Sequence, residues 1–215
     1  MRFQFSKWCI LPVAVLLLGS VAMGQDASSN GATSQGTTSS ATAPTPTIGE
    51  RKENQQDRVA NGVKSGQLTA GETANLESKE AAINGESKAD RAANGGKLTA
   101  AEKQRINKQQ NQLSKQIYSD KHNANTAHYG NNKVGQRREN QQDRIAQGVK
   151  NGQLTAGETA KLENQQKGIN QQVKADRAAN GGKLTTGEKK QINKEQNAAS
   201  KNIYNKKHNA NTQKK

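Results

Sequence analysis

The chain has 215 residues, with 33 Lys and Arg against 18 Asp and Glu, a formal net charge of +15, and only 3% aromatic residues. A single Cys excludes a disulfide framework and a thiolate metal site. So little apolar material also argues against an enzyme, because there is not enough of it to build a dry pocket that would tune catalytic groups.

Arg2 and Lys7 precede an apolar run from Trp8 to Leu18, and small residues follow at Ala22 and Gly24. That layout predicts a secretory signal peptide over residues 1–24, too short for a comfortable membrane span. Cleavage after Ala22 and cleavage after Gly24 both fit, and Cys9 would leave with the leader. The mature chain would then carry 31 basic and 18 acidic residues, a net +13. Residues 25–48 are mostly Ser, Thr, Ala, Gly and Gln with Pro44 and Pro46, which predicts a disordered linker.

The remainder is a duplication at an offset of 86: Arg51 answers Arg137, Asp57-Arg58 answers Asp143-Arg144, and Lys121 to Thr126 returns unchanged as Lys207 to Thr212. We assign repeat unit 1 to residues 49–134 and unit 2 to 135–215. Four joints of the form Gly-x-Leu-Thr-x-x-Glu punctuate them, two per unit and 30 residues apart within each. Gly66, Gly96, Gly152 and Gly182 suit the left-handed conformation that closes a helix. Thr69, Thr99, Thr155 and Thr185 are then N-caps of the next helix, with Glu72, Glu102, Glu158 and Glu188 completing capping boxes. Two joints per unit make three helices per unit, so the fold class is all-α with two tandem three-helix units. No proline follows residue 48.

Val59 and Val63, Leu76 and Ile83, and Ile106, Leu113 and Ile117 mark one apolar stripe on each helix of unit 1, and unit 2 repeats the pattern. The stripes are narrow. Unit 1 holds ten Val, Ile and Leu and unit 2 holds nine, and Gly71, Gly85, Gly157 and Gly168 weaken the second helices. A thin core of marginal stability is expected.

The joint also resembles an EF-hand loop. Aligning Gly66 with the loop's glycine puts Val63 at the third ligand position and leaves Glu72 as the one carboxylate. Calcium needs six or more oxygens, so a helix cap explains the motif better than a calcium module, and no metal or cofactor is expected. His122 and His208 recur, but Asp120 is answered by Lys206, so no histidine metal site survives the duplication.

Lysines carry the remaining signal. Lys103, Lys108, Lys115 and Lys121 recur as Lys189, Lys194, Lys201 and Lys207. Such a face suits an anionic polymer, either nucleic acid or polysaccharide, or an anionic envelope surface, and no small-molecule substrate is expected. The competing class is a hydrophilic stress-protective protein, suggested by a mean hydropathy of −1.07 and abundant Asn and Gln.

The pattern Arg144-Ile145, Gly152-Gln153-Leu154-Thr155, Glu158, closing with Ile203-Tyr204 and Lys207-His208-Asn209, resembles a group of uncharacterised secreted bacterial proteins. The resemblance covers residues 51–212, brings no function with it, and implies a secreted or periplasmic location. The expectation is a secreted, basic, helical-repeat protein with a non-enzymatic binding or structural role at the cell envelope.

Overall fold

The computed structural model describes residues 45–213, so the signal peptide and residues 25–44 of the linker lie outside the described residues. Six helices make up the described chain: α1 (Ile48–Lys64), α2 (Ala70–Ala93), α3 (Ala100–Lys121), α4 (Lys133–Lys150), α5 (Ala156–Ala179) and α6 (Thr186–Lys207). Among the described residues there is no strand, and no helix is long and apolar enough to cross a membrane.

The joints fold as their chemistry dictates. Gly66, Gly96, Gly152 and Gly182 have φ of 72°, 90°, 69° and 87°, where a Cβ would be strained. Thr69, Thr99, Thr155 and Thr185 cap α2, α3, α5 and α6, each with the reciprocal bond from Glu72, Glu102, Glu158 or Glu188. The Leu before each cap closes the joint from inside: Leu68 and Leu154 are fully buried, and Leu98 and Leu184 nearly so. α1 carries a fifth box, Thr47 with Glu50, so it starts at Ile48, inside the stretch read as linker. α4 starts at Lys133 under an Asn132 cap, two residues ahead of the repeat boundary.

A second repeated motif turns out to belong to the joints. After α3 the chain runs back to the first joint: Asn123 and Asn125 donate to Glu72 Oε1 at 2.8 and 3.2 Å, and Ala127 N–H donates to Gly66 O at 2.8 Å. In unit 2, Asn209 donates to Glu158 Oε1 at 2.6 Å and Gln213 N–H to Gly152 O at 2.9 Å. Each Lys-His-Asn ending thus ties the last helix of its unit to the joint between the first two.

Like helices meet across the duplication. α1 packs on α4 and α2 on α5, while α3 and α6 each pack only on the two helices of their own unit. Ala60 of α1 sits in the core cluster of Ile145, Val149 and Leu154, and Ala146 of α4 sits in that of Val59, Val63 and Leu68. A Cβ on Gly71 would meet Lys167 at 3.5 Å, and one on Gly157 would meet Ala81 at 3.9 Å. Positions 71 and 81 therefore meet reciprocally, which is the signature of a local two-fold axis. That axis passes close to Leu76-Glu77 and Leu162-Glu163.

Glutamine fills much of the interior that the aliphatic residues leave open. Gln55 and Gln141 are each 2% exposed and donate to the backbone of Gln110 and Gln196 at 2.6 and 2.7 Å. Gln110 and Gln196 in turn donate to Ile48 O and Val134 O, both at 2.9 Å. Directing side-chain amides at backbone carbonyls of neighbouring helices, two in helix interiors and two in first turns, is a substitute for apolar packing, and it fixes register as it does so.

Candidate functional site

At 3.6 residues per turn, Lys108 and Lys115 lie about 180° from the Ile106, Leu113, Ile117 stripe of α3, while Lys103 and Lys121 fall on its flank. Accordingly Lys103, Lys108 and Lys115 are exposed, and so are Lys189, Lys194 and Lys201 on α6. None of these six has an ion pair. Arg105 takes both carboxylates on that side of unit 1, bridging Glu86 and Asp90. Each outer helix therefore carries two uncompensated ammonium groups opposite its apolar stripe, Lys108 and Lys115 or Lys194 and Lys201, with a third, Lys103 or Lys189, exposed on the flank.

The last lysine of each set has a different place. Lys121 and Lys207 are half-buried, with their stems 3.3 Å from where a Cβ on Gly62 or Gly148 would stand. Lys207 also donates to Gln147 Oε1 at 3.3 Å, and burial together with Arg144 lowers its pKa. These two act as packing residues over a glycine, with their heads at the rim. Beside them Tyr118 and Tyr204 stand 62% and 57% exposed, stacked on His122 and His208 at 4.1 and 4.2 Å. Each histidine Nδ1 lies 2.7 Å from the carbonyl of its tyrosine, which holds the stacked pair as one exposed aromatic plate per unit.

The capping glutamates are occupied. Glu72 Oε2 accepts from Thr69 N–H and hydroxyl at 2.9 and 2.7 Å, and its Oε1 takes Asn123 and Asn125. Partial burial works upward on the Glu72 pKa, but these bonds outweigh it and hold the carboxyl below its usual range. Glu158 repeats the balance, with Asn209, Thr155 and Lys206 as the lowering partners. Among the described residues no three His, Cys, Asp or Glu side chains come together in a way that could hold a metal ion.

Three glutamates have a very different setting. Glu77 and Glu163 are fully buried beside the two-fold axis, and Glu80 lies one turn further along α2. Glu77 Oε2 accepts from Gln56 at 3.2 Å and Glu163 Oε2 from Gln142 at 2.9 Å, while the second oxygen of each has no partner. Burial pushes both carboxyls up to about 8, with the Gln bonds opposing; Glu80 and Glu163 add repulsion at Glu77. Glu80 is raised to about 7 by burial, against the pull of Lys52 and the bond from Asn84. Periodicity reasoning passed over these positions because it counts Glu as a surface residue; the signal was that Glu80 stands four residues after Leu76 and three before Ile83, on their stripe, and that Glu77 recurs as Glu163.

No family model, curated protein or solved structure matches this chain.

Proposed function

We propose that the protein is a secreted or periplasmic, non-enzymatic binding protein whose outer helices contact anionic polymers. One observation carries this reading: the six lysines Lys103, Lys108, Lys115, Lys189, Lys194 and Lys201 are exposed, repeat at one offset, and have no carboxylate partner. Uncompensated cations on a rigid helix have no ion pair to break before a phosphate or sulfate arrives, and they release its counterions on contact. The exposed Tyr118 and Tyr204 plates can lie against sugar or base faces next to the charges. Two tyrosines so far apart in the chain read no base sequence, so contact is general and electrostatic.

The test is binding of heparin and of duplex DNA across a salt series. Log affinity should fall linearly with log salt, each neutralised phosphate on DNA adding about 0.9 to the slope. Changing Lys108, Lys115, Lys194 and Lys201 to Gln should flatten that slope by up to about 3.6 units while leaving helicity in place. An unchanged slope would reduce the face to a solubilising one. No binding by the parent at low salt would leave a protein partner or a stress-protective role.

A further inference from the structure

The two units differ at one place where charge is concentrated. A cleft of about 650 Å³ opens between the start of α2, the α3–α4 connection, and α4 and α5. Arg138, Lys167, Lys174 and Arg177 line it, and no Asp or Glu does. Arg138 is only 7% exposed, its Nε is buried without a partner, and no carboxylate pairs with it among the described residues. Its guanidinium lies 5.3 Å over the ring of Tyr129, which leaves its edges for a planar or tetrahedral anion. A buried guanidinium without an anion is costly, so its position calls for one.

Comparison across the offset of 86 shows what sets the cleft apart from the matching place in unit 1. Position 138 answers Lys52, and position 166 answers Glu80. In unit 1, Lys52 lies close enough to Glu80 to pull its pKa down. In unit 2 the matching position is Gln166, which donates to Gln141 Oε1 at 3.2 Å, so the cation stands there without that carboxylate. Ala81 is answered by Lys167, whose stem passes over Gly71 at the first turn of α2. At the second joint, Gln213 Oε1 accepts the Ala156 N–H at 2.9 Å; at the first joint position 213 is answered by Ala127, which has no acceptor to offer. The N–H groups of Ala70 and Gly71 are consequently open donors at the positive end of α2, on the edge of the same cleft.

We infer that this cleft is a binding site for a phosphate monoester, with Arg138 and Arg177 gripping the phosphate, Lys167 and Lys174 at its mouth, and the α2 N-terminus completing the cradle. The dianionic head answers four cations and two free N–H groups. The remaining volume, walled by Tyr129 and Val173, is large enough for an organic group esterified to it. Burial and the neighbouring Arg177 both disfavour the Arg138 charge, and a bound dianion removes both penalties. Asn170 Oδ1 is also buried and unpartnered in this region, and turning the carboxamide over presents its NH₂ to the ligand. The site stands on α2, α4 and α5, away from the lysine faces of α3 and α6, so neither reading depends on the other.

Inorganic phosphate, ribose 5-phosphate and ribose are titrated calorimetrically into the full chain at low salt, and a 5′-phosphorylated oligonucleotide is compared with its unphosphorylated twin. Ribose 5-phosphate should bind and ribose should not; a gain from the 5′-phosphate would place the ester at the end of a polymer as well. Arg138→Gln should weaken ribose 5-phosphate at least tenfold. Gln166→Glu should do the same while keeping or raising the melting temperature, because it returns the carboxylate that serves Lys52 in unit 1. Changing Lys108, Lys115, Lys194 and Lys201 to Gln should leave ribose 5-phosphate binding unchanged. Absence of phosphate-dependent binding by the parent in both comparisons, or equal binding by a folded Gln166→Glu variant, would overturn the assignment.

Discussion

Replacing Glu77 and Glu163 together by Gln should stabilise the protein at pH 8 and remove most of its pH dependence between pH 5 and pH 8. Both carboxyls are buried, and both titrate at about 8 in the folded chain against 4.5 in the unfolded one. Between those values the folded protein holds a proton that the unfolded chain has released, so stability falls as pH rises. The fall is about 1.4 kcal/mol per pH unit for each group, on the order of 5 kcal/mol each across the whole window. Gln keeps the carbonyl oxygen that accepts from Gln56 and Gln142 and has the same size, so packing beside the axis is retained. Glu80, titrating at about 7, would leave a weaker residual slope. Urea unfolding followed by circular dichroism at pH 5, 6, 7 and 8 measures the effect. A parent whose midpoint is flat over that range, or a double variant with the parent's slope, would refute the burial of these acids.

Acid should act with the opposite sign at the joints. The pKa values of Glu72 and Glu158 are held below 4.5 in the folded state, so their contribution is present above that pH and lost as pH falls through their folded values; parent stability should decline below pH 4. Thr155→Ala removes the hydroxyl that accepts Glu158 N–H and should cost about 1 kcal/mol in the same urea assay. Calcium at millimolar concentration should shift neither helicity nor melting temperature, because both oxygens of Glu72 and of Glu158 are already taken by hydrogen bonds; a calorimetric signal abolished by Glu72→Gln with Glu158→Gln would contradict this.

The parts of this fold that were legible in the sequence are those where one residue type does one local job. A left-handed glycine, a Thr cap and a Glu three residues on have few other uses in that order, and their fourfold repetition placed four of the five connections between the six helices. The Thr47–Glu50 box escaped because Pro44-Thr45-Pro46 stands ahead of it where the other boxes follow Gly-x-Leu. Gln55, Gln110 and their counterparts escaped for a physical reason: each is buried because a backbone carbonyl waits for its amide, and that carbonyl comes from a helix distant in sequence. Docking of the two units was equally hidden, since its contacts use Ala60, Ala146, Gly71 and Gly157, residues that hydropathy scores as nothing in particular. The lysine face was readable from spacing alone, except that Lys121 and Lys207 lie on the flank over Gly62 and Gly148. The Arg138 cleft could not be read from any one stretch, because it takes residues from α2, α4, α5 and a connection.

The reciprocal packing of α1 on α4 and α2 on α5 has the geometry of a homodimer whose protomers share one polypeptide. A dimer of separate chains dissociates on dilution and must be the same on both sides of its axis. Fusion holds the halves at an effective concentration set by the short α3–α4 connection, so assembly no longer depends on how much protein is made. It also releases the halves from identity. Glu80 can stay in one while Gln166 replaces it in the other, and Ala127 can stand where Gln213 stands opposite. A cleft that draws on both halves can then exist once in the molecule and not twice.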